Sequence, residues 1–275
     1  MKDLAIRLGS AGVGLIFFFL VLFMKPVVLE WAVGFISVGM VYEVMHVFGY
    51  KWRSNLLACL CATAMILAIN FGGKLAFALA FALTVLMLTV HAILHRKMHF
   101  RTIAGPTIMI TYIVCCMHFI PLVRSDDAVG VHLFFMLFIC AWLSDTGAYF
   151  IGKFFGRHKL AEKISPKKTI EGALGGVGFS VAGAIILGLI AQFIFKLQAN
   201  YLLLALSGMV GSVLGQLGDL FASWIKRQYD IKDFGNIMPG HGGLMDRFDS
   251  VLTVAPYIYL LVQLLQKFDL FLIIR

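Results

Sequence analysis

The sequence predicts an all-α, polytopic integral membrane protein. Of its 275 residues, 61% are hydrophobic and only 13% are charged, whereas soluble domains contain roughly 45–50% apolar and about 25% charged residues. Apolar runs of about 20 residues, the length that a helix needs to cross the hydrocarbon core, recur from one end of the chain to the other. We therefore expect a single membrane domain over residues 1–275.

Nine apolar runs define the predicted membrane-spanning helices. The first is expected to be a retained helix, because no small-residue cleavage pattern follows it. The connections are short except for two polar loops, at 153–171 and 226–249. The predicted spans are 5–24, 27–49, 55–73, 75–95, 103–123, 130–152, 172–195, 200–225 and 250–268.

Lysine and arginine residues alternate between the two sides of this predicted bundle. The N-terminus and the even-numbered loops hold 17 of them, and the odd-numbered loops hold four. Because cytoplasmic loops carry the excess of Lys and Arg, we expect the N-terminus and both polar loops to be cytoplasmic. The net charge of +9 lies in short segments between apolar runs, a distribution that suits anionic lipid or phosphate partners and not nucleic acid.

Ionisable residues inside membrane spans are costly unless they face protein or water, so each is a functional candidate. For Glu43, which lies three residues before His46 on the second predicted helix, a buried hydrogen bond is favoured over a catalytic role, and both remain open. The five cysteines lie within apolar runs and are expected to pack in the interior. The acidic candidates within or at the ends of spans are Glu43, Asp145, Glu171, Asp219, Asp246 and Asp249.

The first polar loop contains a potential anion site. Ser165 followed by Pro166 is typical of a helix start, which would place Lys167, Lys168 and Thr169 in a first turn. Backbone N–H groups and the helix dipole favour an anion there, so the two lysines indicate a polyphosphate site. Taken alone, the loop is also explained as an ordinary cluster of cytoplasmic positive charge.

The second polar region offers oxygen ligands. Asp219, Ser223 and Lys226 follow one stripe of the eighth helix, and Asp246 and Asp249 lie three apart at the start of the ninth. Carboxylates that converge from two helix ends, with lysines nearby, are typical of a magnesium ion shared with phosphates. The glycines of the turn at 239–243 let the backbone approach a ligand closely.

This region also carries a longer pattern. It reads Ser223-x-Ile225-Lys226-Arg227, then Lys232-Asp233-x-Gly235, then Pro239-Gly240-His241-Gly242-Gly243-Leu244-x-Asp246-Arg247-Phe248-Asp249. These 27 consecutive residues resemble the signature of the phosphatidate cytidylyltransferases (CDP-diacylglycerol synthases), with Met238 a mild departure. The segment Ser165-Pro166-Lys167-Lys168-Thr169-x-Glu171-Gly172 and the helix of Asp145 also resemble that family.

The resemblance implies a membrane enzyme that joins CTP to phosphatidic acid and releases CDP-diacylglycerol and pyrophosphate. It implies an N-terminal helical part, 1–125, and a catalytic part, 130–268. The implied metal ligands are Asp219 and Asp246, with Mg²⁺ as the metal; a second cation such as K⁺ and a homodimer are left open. The candidates implied at the reacting phosphates are Asp219, Lys226, Arg227, Lys232, Asp233, His241, Asp246, Arg247 and Asp249. The candidates implied for nucleotide binding are Ser165, Lys167, Lys168, Thr169, Glu171, Asp145 and Ser223.

Among these, Asp233, Asp249 and His241 are candidates for holding the loop in shape. The expected mechanism is metal-assisted, direct in-line attack at a site facing the cytoplasm, in the inner membrane of a bacterium. An ion-coupled polytopic transporter is the alternative, although the polarity of this chain collects in two loops and not at the bilayer midplane. The spaced acidic pattern of CDP-alcohol phosphotransferases is not found in the sequence.

Overall fold

The protein is an integral membrane protein built almost entirely from α-helices. The structure is a computed structural model, and it describes residues 26–95, 100–124, 129–238, 242–265 and 271–273. Within those ranges, six helical segments are long and apolar enough to cross a membrane. They are Val27–Val47, Trp52–Leu94, Thr102–Arg124, Gly130–Phe155, Ile170–Phe193 and Tyr201–Gln228.

The described elements are numbered here in chain order. The helices are α1 (Pro26–Val47), α2 (Trp52–Leu67), α3 (Gly73–Leu94), α4 (Phe100–Arg124), α5 (Gly130–Phe138), α6 (Ser144–Phe155), α7 (Ile170–Phe193), α8 (Tyr201–Gln228), α9 (Met245–Phe248) and α10 (Val251–Leu264). Two π-helical turns, Ala68–Gly72 and Ile139–Leu143, join α2 to α3 and α5 to α6. The strands are β1 (Lys159–Ala161), β2 (Ser165–Thr169), β3 (Leu197–Ala199) and β4 (Phe271–Ile273).

The count of nine membrane spans stays a prediction. The first predicted span, 5–24, lies outside the described residues. The last, predicted over 250–268, is the 14-residue helix α10, which at 1.5 Å per residue is only about 21 Å long. A helix of that length does not cross a hydrocarbon core of about 30 Å by itself.

One compact unit comprises Met1–His118 with Asp233–Arg247. In it, α1 packs on α2, and Asn55 Nδ2 donates a hydrogen bond to Tyr42 O at 3.0 Å. The segment Trp52–Leu94 would be about 65 Å long as one straight helix, but α2 and α3 contact each other. The chain therefore turns at Gly73, where φ is +70°.

The second compact unit comprises Phe119–Lys232 with Phe248–Arg275. Here α6, α7 and α8 pack closely, because glycines bring the helix backbones together; a Cβ added to Gly172 would lie 2.8 Å from Ala148 O. Buried polar side chains also link these helices. The hydroxyl groups of Ser144 and Ser212 are 2.6 Å apart, and Ser180 Oγ donates to Gly208 O at 2.8 Å.

The surface of both units is apolar over much of its area. Phe35 and Leu75 are each 75% exposed, and Leu202 is 70% exposed. Large apolar side chains that face outward along helices of this length are explained by contact with lipid.

Candidate active site

The second unit gathers carboxylates and lysines at the C-terminal half of α8. Ser223 Oγ donates a weak hydrogen bond to Asp219 Oδ1 at 3.4 Å, so the predicted stripe on this helix is present. Lys168, from strand β2, places its Nζ 2.5 Å from Asp219 Oδ2. The structure thus brings one residue of the first polar loop directly to the acidic residue of the second polar region.

Two more carboxylates belong to this cluster. Ser250 Oγ donates to Asp145 Oδ2 at 3.3 Å, and Ser250 N donates to Asp249 Oδ1 at 2.8 Å. Burial raises the pKa of the Asp249 carboxyl above its ordinary value, as do the charges of Asp219 and Asp145, while Lys226 acts in the opposite direction. Asp249 is therefore close enough to Asp219, Asp145 and Lys226 to be influenced by their charges.

The Ser165–Thr169 segment is a strand, so the predicted helix start at Ser165 and Pro166 is wrong. Strand β2 pairs with β1 in an antiparallel hairpin, with Lys159 opposite Thr169 and Ala161 opposite Ser165. The helix begins at Ile170, where Thr169 Oγ1 accepts a hydrogen bond from Gly172 N at 3.1 Å as the N-cap. Lys167 and Lys168 are thus presented from a strand and not from a helical turn.

Glu171 holds the base of this hairpin. Its carboxylate accepts hydrogen bonds from Arg157 N at 3.0 Å and His158 N at 3.2 Å. His158 Nδ1 lies 2.6 Å from Glu171 Oε1. A carboxylate would repel a phosphate group, and these contacts indicate that Glu171 orients the hairpin.

Arg227 binds backbone oxygens in the same unit. Its Nε donates to Ile164 O at 3.1 Å, and its Nη1 donates to Ile231 O at 3.0 Å. One guanidinium group therefore connects the tip of the hairpin to the chain that leaves α8.

The Asp246 turn lies in the first unit. Asp246 Oδ2 accepts hydrogen bonds from Phe234 N at 2.8 Å and Gly243 N at 3.0 Å. Glu43 Oε1 accepts from Leu244 N at 3.0 Å, and Glu43 Oε2 accepts from Met245 N at 2.9 Å. The buried hydrogen bond favoured for Glu43 from the sequence is present, but its partners are these amides, about 200 residues further along the chain.

The other candidate residues differ in exposure. Lys226 is only 8% exposed, whereas Lys167, Lys232, Asp233 and Arg247 are exposed. His241 lies outside the described residues, as do Pro239 and Gly240. Among the described neighbours, Met238 N donates a hydrogen bond to Gly242 O at 3.0 Å.

The side chains of this cluster that could bind a metal ion all offer oxygen atoms. Asp145, Asp219 and Asp249 offer carboxylates, and Ser223 offers a hydroxyl group, which are ligands that a hard cation prefers. Within the ranges that the structure describes, no three His, Cys, Asp or Glu side chains are gathered closely enough to hold one metal ion. Metal ligation by Asp219 and Asp246 therefore stays a prediction.

Comparison with known proteins points in one direction. The sequence profile of the "Cytidylyltransferase family" matches residues 5–265. The phosphatidate cytidylyltransferase of Bacillus subtilis is 42% identical over 179 residues, which are 65% of this chain and 65% of that protein. The protein of the same name from Staphylococcus haemolyticus is 37% identical over 181 residues, 66% of this chain and 67% of the relative.

A third relative, the phosphatidate cytidylyltransferase of Staphylococcus epidermidis strain RP62A, is 46% identical over 133 residues. That match covers 48% of this chain and 50% of the relative. The chain therefore matches between half and two thirds of the length of these curated relatives.

Proposed function

We propose, because this chain belongs to the cytidylyltransferase family, that it transfers the cytidylyl group of CTP to phosphatidic acid, giving CDP-diacylglycerol and pyrophosphate. The observation that supports this most is the family match over residues 5–265. The relatives named above are phosphatidate cytidylyltransferases, and the signature from Ser223 to Asp249 lies within the matched region.

In the proposed reaction, a phosphate oxygen of phosphatidic acid attacks the α-phosphorus of CTP. A new P–O bond forms while the bond from the α-phosphorus to the pyrophosphate oxygen breaks, so no covalent protein intermediate is needed. The attacking phosphate is already an oxyanion, and a strong general base is not required. The main task of the protein is to place two polyanions in line and offset their mutual repulsion.

The lysine and arginine residues fit this task. Lys168 and Lys226 lie among the carboxylates of the second unit, while Lys167, Lys232 and Arg247 are exposed to an entering phosphate. We assign to these cations the stabilisation of the substrate phosphates and of the departing pyrophosphate.

Asp219 and Asp246 are the proposed ligands of a divalent cation, Mg²⁺. Their oxygen donors suit a hard cation, and the Ser223 hydroxyl group is a further oxygen donor beside Asp219. Such a cation, when bound, supplies charge neutralisation at the substrate phosphates. Asp249 and Ser250 are linked by a hydrogen bond, which fits a role in shaping the site.

The substrates also suggest the orientation of the chain. Diacyl tails stay in lipid while CTP is dissolved in the cytoplasm, so we place both polar loops on the cytoplasmic side, in agreement with the distribution of Lys and Arg. The variant Glu162→Cys provides a test, because Glu162 is exposed in the first polar loop. A membrane-impermeant maleimide should label it in inside-out vesicles; labelling only in right-side-out vesicles would overturn the orientation.

The activity is tested on the purified protein in detergent. We expect CDP-diacylglycerol and pyrophosphate in equal amounts when CTP, phosphatidic acid and Mg²⁺ are supplied. Diacylglycerol, which lacks the phosphate nucleophile, serves as the control substrate and should give no product. The absence of CDP-diacylglycerol both with and without added K⁺ would refute the proposal.

A further inference from the structure

Glu43 is a buried carboxylate that the proposed reaction does not use. It lies on α1 and is 2% exposed. A buried ionised group is costly unless hydrogen bonds compensate for its lost hydration. The two backbone amides of Leu244 and Met245 provide such bonds, one to each carboxylate oxygen.

Two glycines of the signature make room for this carboxylate. A Cβ added to Gly235 would lie 2.5 Å from Glu43 Oε1, and a Cβ added to Gly243 would overlap Glu43 Oε2. Neither position could hold a larger residue without displacing the Glu43 side chain. The glycines therefore serve the approach of a side chain to the turn.

Glu43 and Asp246 share three consecutive amides of this turn. Gly243 N donates to Asp246 Oδ2, while Leu244 N and Met245 N donate to Glu43. Asp246 Oδ2 also accepts a hydrogen bond from Phe234 N. One carboxylate oxygen therefore joins the backbone at Phe234 to the backbone at Gly243. Because Asp246 follows Met245 directly, the bonds to Glu43 restrict the backbone from which the Asp246 side chain projects.

We propose that Glu43 is a positioning residue: it fixes the Gly243–Met245 backbone and thereby the carboxylate of Asp246. The catalytic part of this inference rests on the proposed function, in which Asp246 is a ligand of the divalent cation. Residues that orient a ligand typically change metal affinity or activity by roughly 10–100-fold when they are replaced.

The first test uses amide hydrogen exchange, which needs neither metal nor substrate. In Glu43→Gln, the side chain keeps its size but has one neutral acceptor in place of two charged ones. We expect exchange in the segment around Leu244 and Met245 to accelerate roughly tenfold or more. Glu30→Gln, on the same helix and only partly buried, is the matched control and should exchange like the wild type.

The second test separates positioning from stability. We expect Glu43→Gln to lower kcat and to raise the Mg²⁺ concentration for half-maximal rate by roughly 10–100-fold, with KM for CTP within about twofold of wild type. If Glu43→Gln does not yield folded protein, Gly235→Ala keeps the carboxylate and displaces its Oε1. The same pattern is then expected from that variant.

The outcomes are distinguishable. Unchanged exchange in Glu43→Gln would overturn the contact between Glu43 and the turn. Accelerated exchange with wild-type kcat and Mg²⁺ dependence would overturn the positioning role. If the wild type makes no CDP-diacylglycerol, the proposed function fails, and the exchange measurement still decides whether Glu43 holds the turn.

Discussion

Replacing Gly218 with alanine tests whether the close packing of α8 on α10 positions the Asp219 and Asp249 carboxylates. A Cβ added at Gly218 would lie 2.7 Å from Asp249 O and 2.5 Å from Thr253 Oγ1. The Thr253 side chain cannot rotate away without breaking a hydrogen bond, because its Oγ1 donates to Leu214 O at 2.8 Å. The added methyl group must therefore push the two helices apart.

The size of the effect follows from these distances. Ordinary contacts begin at 3.4 Å, so the gap at Asp249 O must open by about 0.7 Å (3.4 minus 2.7). Overpacking of this kind costs about 1–3 kcal/mol. The gain in helix propensity from Gly to Ala, about 0.5–1 kcal/mol, acts in the other direction.

The variant Gly178→Ala is the control for the gain in helix propensity. Gly178 lies on α7, and nothing lies within 4 Å of a Cβ added there. Both variants gain the same helix propensity, so the difference between them reports the overpacking alone, about 1–3 kcal/mol. Thermal unfolding in detergent, followed by the fluorescence of the purified protein, measures this difference.

Activity should follow the displacement. A shift of about 1 Å at a reacting group can cost 10²-fold, so we expect Gly218→Ala to lose about tenfold or more in kcat. Gly178→Ala should stay within about twofold of the wild type, since it moves no group of the site. If Gly218→Ala unfolds at the temperature of Gly178→Ala and keeps the wild-type kcat, the packing argument is refuted.

Three further substitutions separate the roles of the charged residues. The Asp246→Asn variant should elute from size-exclusion chromatography in detergent as folded protein, because the amide oxygen still accepts a hydrogen bond. Its rate of cytidylyl transfer should fall about 100-fold or more, and near-normal activity would show that Asp246 is not part of the site. Glu171→Gln should raise KM for CTP about tenfold by loosening the hairpin, whereas Glu162→Gln, in the exposed turn of the same hairpin, should not; equal KM values for both would contradict an orienting role. The Lys168→Met variant should have a KM for CTP about tenfold or more higher, because one positively charged side chain is lost; Lys163→Met, at an exposed position, is the control. A wild-type KM in Lys168→Met would show that Lys168 pairs with Asp219 and does not bind CTP.

The helices were predictable because the length of an apolar run fixes how much chain can lie in lipid. The ends of the helices were less predictable, because backbone hydrogen bonds, and not composition, decide where a helix ends. The last predicted span illustrates this, because it extends to 268 whereas α10 ends at Leu264. The hairpin of Lys159–Thr169 was missed because Ser-Pro followed by two lysines reads locally as a helix start, and the strand forms through pairing with a separate segment.

The site was predictable where its residues share one helix. The spacing of Asp219 and Ser223 places them together through helix geometry alone, and the structure has the hydrogen bond between them. The sequence does not indicate that Lys168 meets Asp219, or that Glu43 meets Leu244 and Met245, because these partners lie on elements that only tertiary packing brings together. Glu43 was recognisable as costly in a membrane span, and its partner was not.

The acidic residues of this chain differ in what their oxygen atoms bind. Glu43 and Glu171 accept backbone amides, and so does Oδ2 of Asp246, whereas Asp219 forms an ion pair with Lys168. Loss of activity after the replacement of an acidic residue therefore does not identify a metal ligand by itself, since an acid that holds a turn also abolishes the site when it is removed. Hydrogen exchange of the bonded backbone amides separates a metal ligand from an acid that holds a turn. The exchange should change when Glu43 or Glu171 is replaced, and it should stay unchanged when Asp219 is replaced by asparagine.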